Sequence, residues 1–161
     1  MNKIKVLYHK RCPDGFHAAW CARQVFHDEA DYIAVSHGNP PPEGLEGCDV
    51  YILDFCYPRE ELLALKEKTN NLIVLDHHIT AYEDCGDLDF CTFDMKRSGA
   101  GMAWDYFMQG KPRPWLINYI EYRDLGFYWS APESEHPPHL KAALAAVDSY
   151  PYEFGSRGQL M

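Results

Sequence analysis

The chain has 161 residues, 47% of them hydrophobic and 14% aromatic, with a formal charge of −9. That suffices for one domain with a substantial buried core, while the acidic balance, without clustered Lys and Arg, argues against a groove for long nucleic acid. No apolar run approaches the roughly 18 residues of a membrane span, MNKIKVLYHK lacks the apolar core and cleavage site of a signal peptide, and the six cysteines include no CxxC pair, so a cytoplasmic protein with reduced thiols is expected, with no membrane partner.

In chain order, IKVLY at 4–8 reads as a short apolar strand, and after the break CPDG the segment FHAAWCARQVF puts Phe16, Trp20, Arg23 and Phe26 at helical spacing. DYIAVSH at 31–37 is a second strand candidate. The loop GNPPPEGLEG separates it from VYILDF at 50–55, a strand that ends on a carboxylate. Pro58 then opens the helix PREELLALKEKT, with acids in its first turn and lysines in its last, as the helix dipole favours. It leads directly into NLIVLDHH, and LDFCTFD at 88–94 is a fifth strand candidate. SGAGMAWDYFMQG begins with Ser and glycines before turning amphipathic, as a helix N-terminus near a phosphate would. WLINYIEYRDLGFYW reads as a helix ending at Gly126, and HPPHLKAALAAVDSYPYEFGSRGQLM offers one more helix and a tail. The aromatics of these segments have the spacing of core residues.

Apolar strands alternating with helices predict an α/β fold with a mostly parallel five-stranded sheet flanked by helices; such sheets bind ligands beyond the carboxyl ends of their strands. The polar residues fall there. His9 follows the first strand, Asp54 ends the third, and Asp76, His77 and His78 end the fourth. Buried charges and imidazoles are costly unless paired or metal-bound, so this group either ligates something or caps something. Neighbours on a strand point to opposite sides, so His77 and His78 should divide the work, one holding metal and the other facing substrate. Hard divalent ions prefer carboxylate oxygen, and Mn²⁺ tolerates imidazole, so Asp14, Asp54, His77 and Asp124 would suit Mn²⁺ better than Zn²⁺. Asp14 also fits a helix N-cap before FHAAW, and Asp124 could instead pair with Arg123. Cys12 has the character of a packing residue. Lys96 and Arg97 read as solvated loop charges, and His136 and His139 as surface residues.

Four ordered motifs carry a family resemblance: HKRCPDG at 9–15, LDF at 53–55, LDHH at 75–78 and EYRDLG at 121–126. The chain resembles the DHH-family phosphoesterases. The forms CPDGFHAAW, ILDFCYPREEL and YRDL are most similar to the nano-RNase, or oligoribonuclease-like, branch, whose members degrade very short RNA. The resemblance implies a DHH phosphoesterase domain over residues 1–161, with a two-metal site, usually Mn²⁺ with Mg²⁺ or Co²⁺ as alternatives, in which an activated water attacks phosphorus. It implies metal ligands at Asp14, Asp54, His77 and Asp124, with His9 either a further ligand or a group supporting one, and catalytic roles for Asp54, for His78 against the phosphate, and for Asp76 as the group that orients an imidazole. Ser98 and Gly99 match a small-residue motif on the substrate side.

The implied substrate is a small phosphodiester, a dinucleotide or short oligonucleotide. A nucleotide-binding module with little turnover and a pyrophosphate or phosphomonoester hydrolase are the alternatives. Two departures stand out. Many members of that family have two aspartates in the first motif, whereas Asp14 is flanked by Cys12 and Phe16; His9 could compensate, and Cys12 could add a thiolate. The usual C-terminal substrate-binding domain is not recognised in these residues either, so the expectation is weak catalysis, a homo-oligomer or partner that supplies that domain, or a longer natural chain.

Overall fold

The structure, a computed structural model, describes residues 3–130, 140–148, 152 and 154. Five strands, β1 (Ile4–His9), β2 (Ala30–Val35), β3 (Asp49–Leu53), β4 (Asn71–Asp76) and β5 (Cys91–Phe93), form one sheet in the order β2-β1-β3-β4-β5. Every pairing is parallel. The fold is therefore the expected α/β arrangement, with a sheet that is parallel throughout. β3 and β4 read DVYIL and NLIVLD, the nearly continuous apolar runs of strands covered on both faces.

The helices divide between those faces. On one side α1 (Pro13–Phe26), α4 (Gly99–Met108) and α5 (Trp115–Asp124) pack over Val6, Tyr8, Leu53 and Leu75 through Ala18, Ala22, Ala103, Ile117 and Ile120. On the other, α2 (Arg59–Lys68) and α3 (Ile79–Cys85) place Leu62, Leu65 and Cys85 over Leu7, Val50, Ile52, Leu72 and Val74. The chain leaves β1 through α1 towards β2 and leaves β3 through α2 towards β4, in opposite directions along the sheet. The order thus reverses between β1 and β3, which opens a crevice beyond their carboxyl ends.

Several boundaries differ from the expectation. α3 was not anticipated: ITAYEDC is seven residues long, buries only Cys85 and carries no apolar stripe to announce it. α1 starts earlier, at Pro13, with Cys12 in the N-cap position and no side-chain cap, so Asp14 is not the cap of its own helix. β2 stops at Val35, leaving His37 in the following loop. α5 ends at Asp124, Gly126 takes the left-handed φ of 79°, and a short helix α6 (Phe127–Ser130) follows. The predicted late helix appears as α7 (Leu140–Asp148), while His136 and His139 lie outside the described residues. Among the described residues no helix is long and apolar enough to cross a membrane.

Candidate metal centre

The site forms where β1, β3 and β4 end and where α1 and α4 begin. Asp54 follows β3 with a φ of 53°, a left-handed backbone that is uncommon outside glycine, and its amide donates to Leu75 O at 2.9 Å. The turn presents the two oxygens of a fully buried carboxylate to two different groups of side chains.

Asp54 Oδ1 lies 3.1 Å from His77 Nε2. The same nitrogen is 3.5 Å from Asp14 Oδ2 and 3.4 Å from Asp124 Oδ2. Three carboxylates thus converge on one imidazole nitrogen. Asp54 Oδ2 faces the other way, 3.3 Å from Cys12 Sγ and 3.8 Å from His9 Nδ1. Within each of the trios Asp14, His77, Asp124 and His9, Cys12, Asp54, candidate ligand atoms lie within 4.8 Å of one another.

Electrostatics shows what this arrangement lacks. Burial and the charges of Asp54 and Asp124 push Asp14 well above the usual carboxylate range, against two backbone N–H bonds and His77. Asp124 is raised too, by burial first and then by Asp54. Burial works against charge on His77 as well, but the hydrogen bond to Asp54 and the charges of Asp14, Asp54 and Asp124 push its pKa up to about 9. Asp54 goes the other way: the hydrogen bond and charge of His77, with the nearby His9 imidazole and the Cys12 thiol, overcome its burial and hold it below the ordinary range. The protonated imidazole of His77 supplies positive charge that this group of acids demands. Among the described residues of the site, His9 Nδ1 and Asp76 Oδ2 are buried without a hydrogen-bond partner. Buried acids, imidazoles and orphaned donor atoms are a set that divalent cations fit.

Asp14 is held by α4. Gly99 N donates to its Oδ2 at 2.5 Å and Ala100 N to its Oδ1 at 2.9 Å, so the carboxylate sits on a helix N-terminus, where free N–H groups and the helix dipole favour an anion. Ser98 is the N-cap of α4, fully buried, its hydroxyl accepting from Gly101 N at 3.1 Å. Ser98 and Gly99 are therefore spent on α4 and Asp14, one step back from the open cleft. Gly99 is also required by space: a Cβ there would stand 2.5 Å from Asp54 Cβ and 3.0 Å from Asp14 Oδ2.

Just beyond β4 the two histidine rings lie 4.7 Å apart but take different partners. His77 turns inward to the carboxylates, whereas His78 is 42% exposed and places Nδ1 2.7 Å from Oδ1 of fully buried Asp76. That pairing raises the His78 pKa and fixes its ring. His78 lines a cavity of about 340 Å³ with His37, Phe55, Tyr57, Glu61 and Asp76. His37 stacks on Phe55 at 4.5 Å and meets His9 edge-on at 5.0 Å; it was not singled out in the sequence, where it reads as the polar end of a strand. Across the site a second cleft, of about 250 Å³, is lined by Pro13, Asp14, Ile120, Arg123 and Asp124. Asp14 and Asp124 of the carboxylate cluster line this cleft, whereas Asp76 and His78 line the other.

The Arg97 expectation needs correction. Its Nε binds Glu121 and its Nη1 binds Asp105, both at 2.8 Å, while Arg113 binds the same two acids at 2.9 and 2.6 Å. Glu121 also accepts from Ser98 N at 3.1 Å. Arg97 is thus part of a four-membered ionic staple between α4 and α5, not a solvated loop charge, and its acidic partners lie too far along the sequence for local patterning to reveal them. Phe16, the other flank of Asp14, is core: it is 4% exposed and edge-on to Tyr8.

No protein-family model matches the chain. An uncharacterized protein of Acanthamoeba polyphaga mimivirus is 33% identical over 140 residues, 76% of this chain and 33% of that protein. The chain therefore spans about a third of the curated relative it matches. Among solved structures, an uncharacterized protein from Helicobacter pylori superposes with a TM-score of 0.65 at 13% identity, over 81% of this chain and 45% of that one. At that identity the likeness is one of fold.

Proposed function

We propose that the chain is a divalent-metal-dependent phosphoesterase, similar to the DHH family, that hydrolyses a small phosphodiester such as a dinucleotide or the end of a short oligonucleotide. The observation that carries this reading is the division of Asp54. Its Oδ1 faces His77, in contact with Asp14 and Asp124, and its Oδ2 faces His9 and Cys12. One carboxylate shared between two donor groups is the arrangement a two-cation hydrolytic site requires. Bound there, two cations would acidify a bridging water and neutralise phosphoryl oxygens.

The side chains supply the rest. Asp14, Asp54, His77 and Asp124 fit Mn²⁺, with carboxylate oxygens dominating. Asp76 holds the His78 ring at Nδ1, leaving Nε2 for a phosphoryl oxygen of a substrate in the adjoining cavity. The acidic surface is then compatible with an anionic substrate, because positive charge is delivered locally.

The test is incubation of purified protein and Mn²⁺ with a fluorescent dinucleotide, followed by resolution of products. Mononucleotide is expected from the wild type and none from Asp54→Asn. A dinucleotide that binds yet survives, alongside intact cyclic dinucleotides and phosphate esters, would sink the enzymatic reading and leave a binding module.

A further inference from the structure

We propose that Cys12 is a metal ligand, so that the two halves of the centre select different ions. His9, Cys12 and Asp54 Oδ2 hold a borderline cation such as Zn²⁺ through a thiolate, while Asp14, Asp54 Oδ1, His77 and Asp124 hold a harder one such as Mn²⁺. The inference rests on the metal-centre reading and adds the identity of one ligand and the selectivity that follows from it.

Geometry is the first support. Tetrahedral Zn²⁺ with usual bond lengths places S···O neighbours about 3.6 Å apart and N···O neighbours about 3.4 Å apart. Cys12 Sγ and His9 Nδ1 stand 3.3 and 3.8 Å from Asp54 Oδ2, on either side of those values. A hydrogen-bond network explains this less well. The Cys12 thiol would satisfy one side of Asp54, but His9 Nδ1 is buried, lacks a hydrogen-bond partner and is too far from Oδ2 for one. A cation between the three atoms gives that nitrogen a partner.

The local backbone is built to keep the trio together. His9 ends β1, Cys12 is the N-cap residue of α1, and Arg11 between them turns through a φ of 55°. Gly15 lets the first turn of α1 close on His9, since a Cβ there would stand 2.7 to 2.9 Å from His9 O, Cβ and N. Phe16 is committed to the core, so the thiol is the donor beside Asp14 that reaches Asp54.

Chemistry sets the selectivity. Thiolate and imidazole favour Zn²⁺ and its borderline neighbours, whereas carboxylate oxygens suit Mn²⁺. Binding breaks the S–H bond heterolytically: the proton leaves to solvent, the electron pair stays on sulfur and forms the metal bond, and no oxidant is involved.

Co²⁺ is the probe, because it occupies Zn²⁺ positions and a thiolate bond to it gives a near-ultraviolet charge-transfer band. Chelator-stripped protein is titrated with Co²⁺ by absorbance and calorimetry, then competed with Zn²⁺ and Mn²⁺. The expected result is a thiolate band saturating at one equivalent, displaced by Zn²⁺ far more readily than by Mn²⁺. Cys12→Ser should lose the band and bind Zn²⁺ more weakly, by more than the roughly 10 to 100-fold that loss of a supporting contact costs. Cys12→Asp should keep two bound ions without the band and shift that position towards Mn²⁺. Co²⁺ bound without a band, or a band that persists in Cys12→Ser, would overturn this proposal alone. No binding of any of the three ions would overturn it together with the metal-centre reading.

Discussion

Replacing Gly99 by alanine should damage the centre without replacing a ligand. The added Cβ would lie 2.5 Å from Asp54 Cβ and 2.9 Å from Asp54 Oδ1, where ordinary contact begins at 3.4 Å. The obstructing Cβ is fixed to a left-handed turn between β3 and the following loop, so α4 and Asp54 must separate by nearly an ångström. Overpacking of this kind costs about 1–3 kcal/mol. Alanine's better helix propensity offsets up to about 1 kcal/mol, leaving a net loss of up to about 2 kcal/mol after a full offset. The displacement also exceeds the roughly 0.2 Å tolerance of ligand distances, so Mn²⁺ affinity should fall at least about tenfold, as for loss of a supporting contact. Urea unfolding of the metal-free protein and Mn²⁺ calorimetry measure the two effects. Gly110→Ala is the control: no atom would lie within 4 Å of its Cβ, but its φ of 84° strains any side chain, so it should lose stability and keep metal affinity. Equal metal binding by Gly99→Ala and wild type, or equal loss in both variants, would refute the reasoning.

The pKa of His77 makes metal-free stability depend on pH. A folded value of about 9 against an ordinary 6.5 means that its contribution is complete below pH 6.5 and is lost as pH rises through 9; chemical unfolding across that window should show the decline. Saturating Mn²⁺ must displace the same proton, so metal affinity should rise over that window, and calorimetry in buffers of different ionisation enthalpy should register the release. Ser98→Ala removes the cap of α4 and should cost about 1 kcal/mol by denaturant melting, with a wild-type result arguing against the Ser98–Gly101 bond. Asp76→Asn should still bind two ions but slow dinucleotide turnover about 10 to 100-fold, because His78 loses its charged partner; unchanged turnover would remove Asp76 from the mechanism.

The strands and the polar residues at their carboxyl ends were legible because parallel strands are long apolar runs and the hydrophilic break at each end is abrupt, as in NLIVLDHH. His77 and His78 face different partners, Asp54 and Asp76, but both lie past the last residue of β4 and their rings are only 4.7 Å apart, so strand alternation does not set them on opposite sides. Strand order was not legible, since nothing local in DYIAV or VYIL tells which of them pairs with which side of β1. Asp14 shows a different limit. Its sequence position suggested a cap for α1, yet its carboxylate binds α4 some 85 residues away, a contact visible only once the sheet is assembled. Cys12 was read as packing because that is the usual fate of a free cysteine; only the orphaned His9 nitrogen and the second oxygen of Asp54 argue otherwise.

The turn at Asp54 also restricts which residues could ever stand there. Asparagine, aspartate and glycine enter the left-handed region with little penalty, while other residues pay about 1–2 kcal/mol. Glutamate would preserve the charge but not the backbone, asparagine the backbone but not the charge, and glycine neither oxygen. Selection for shape and selection for chemistry therefore converge on a single side chain, and drift at this position has no neutral neighbour through which to pass.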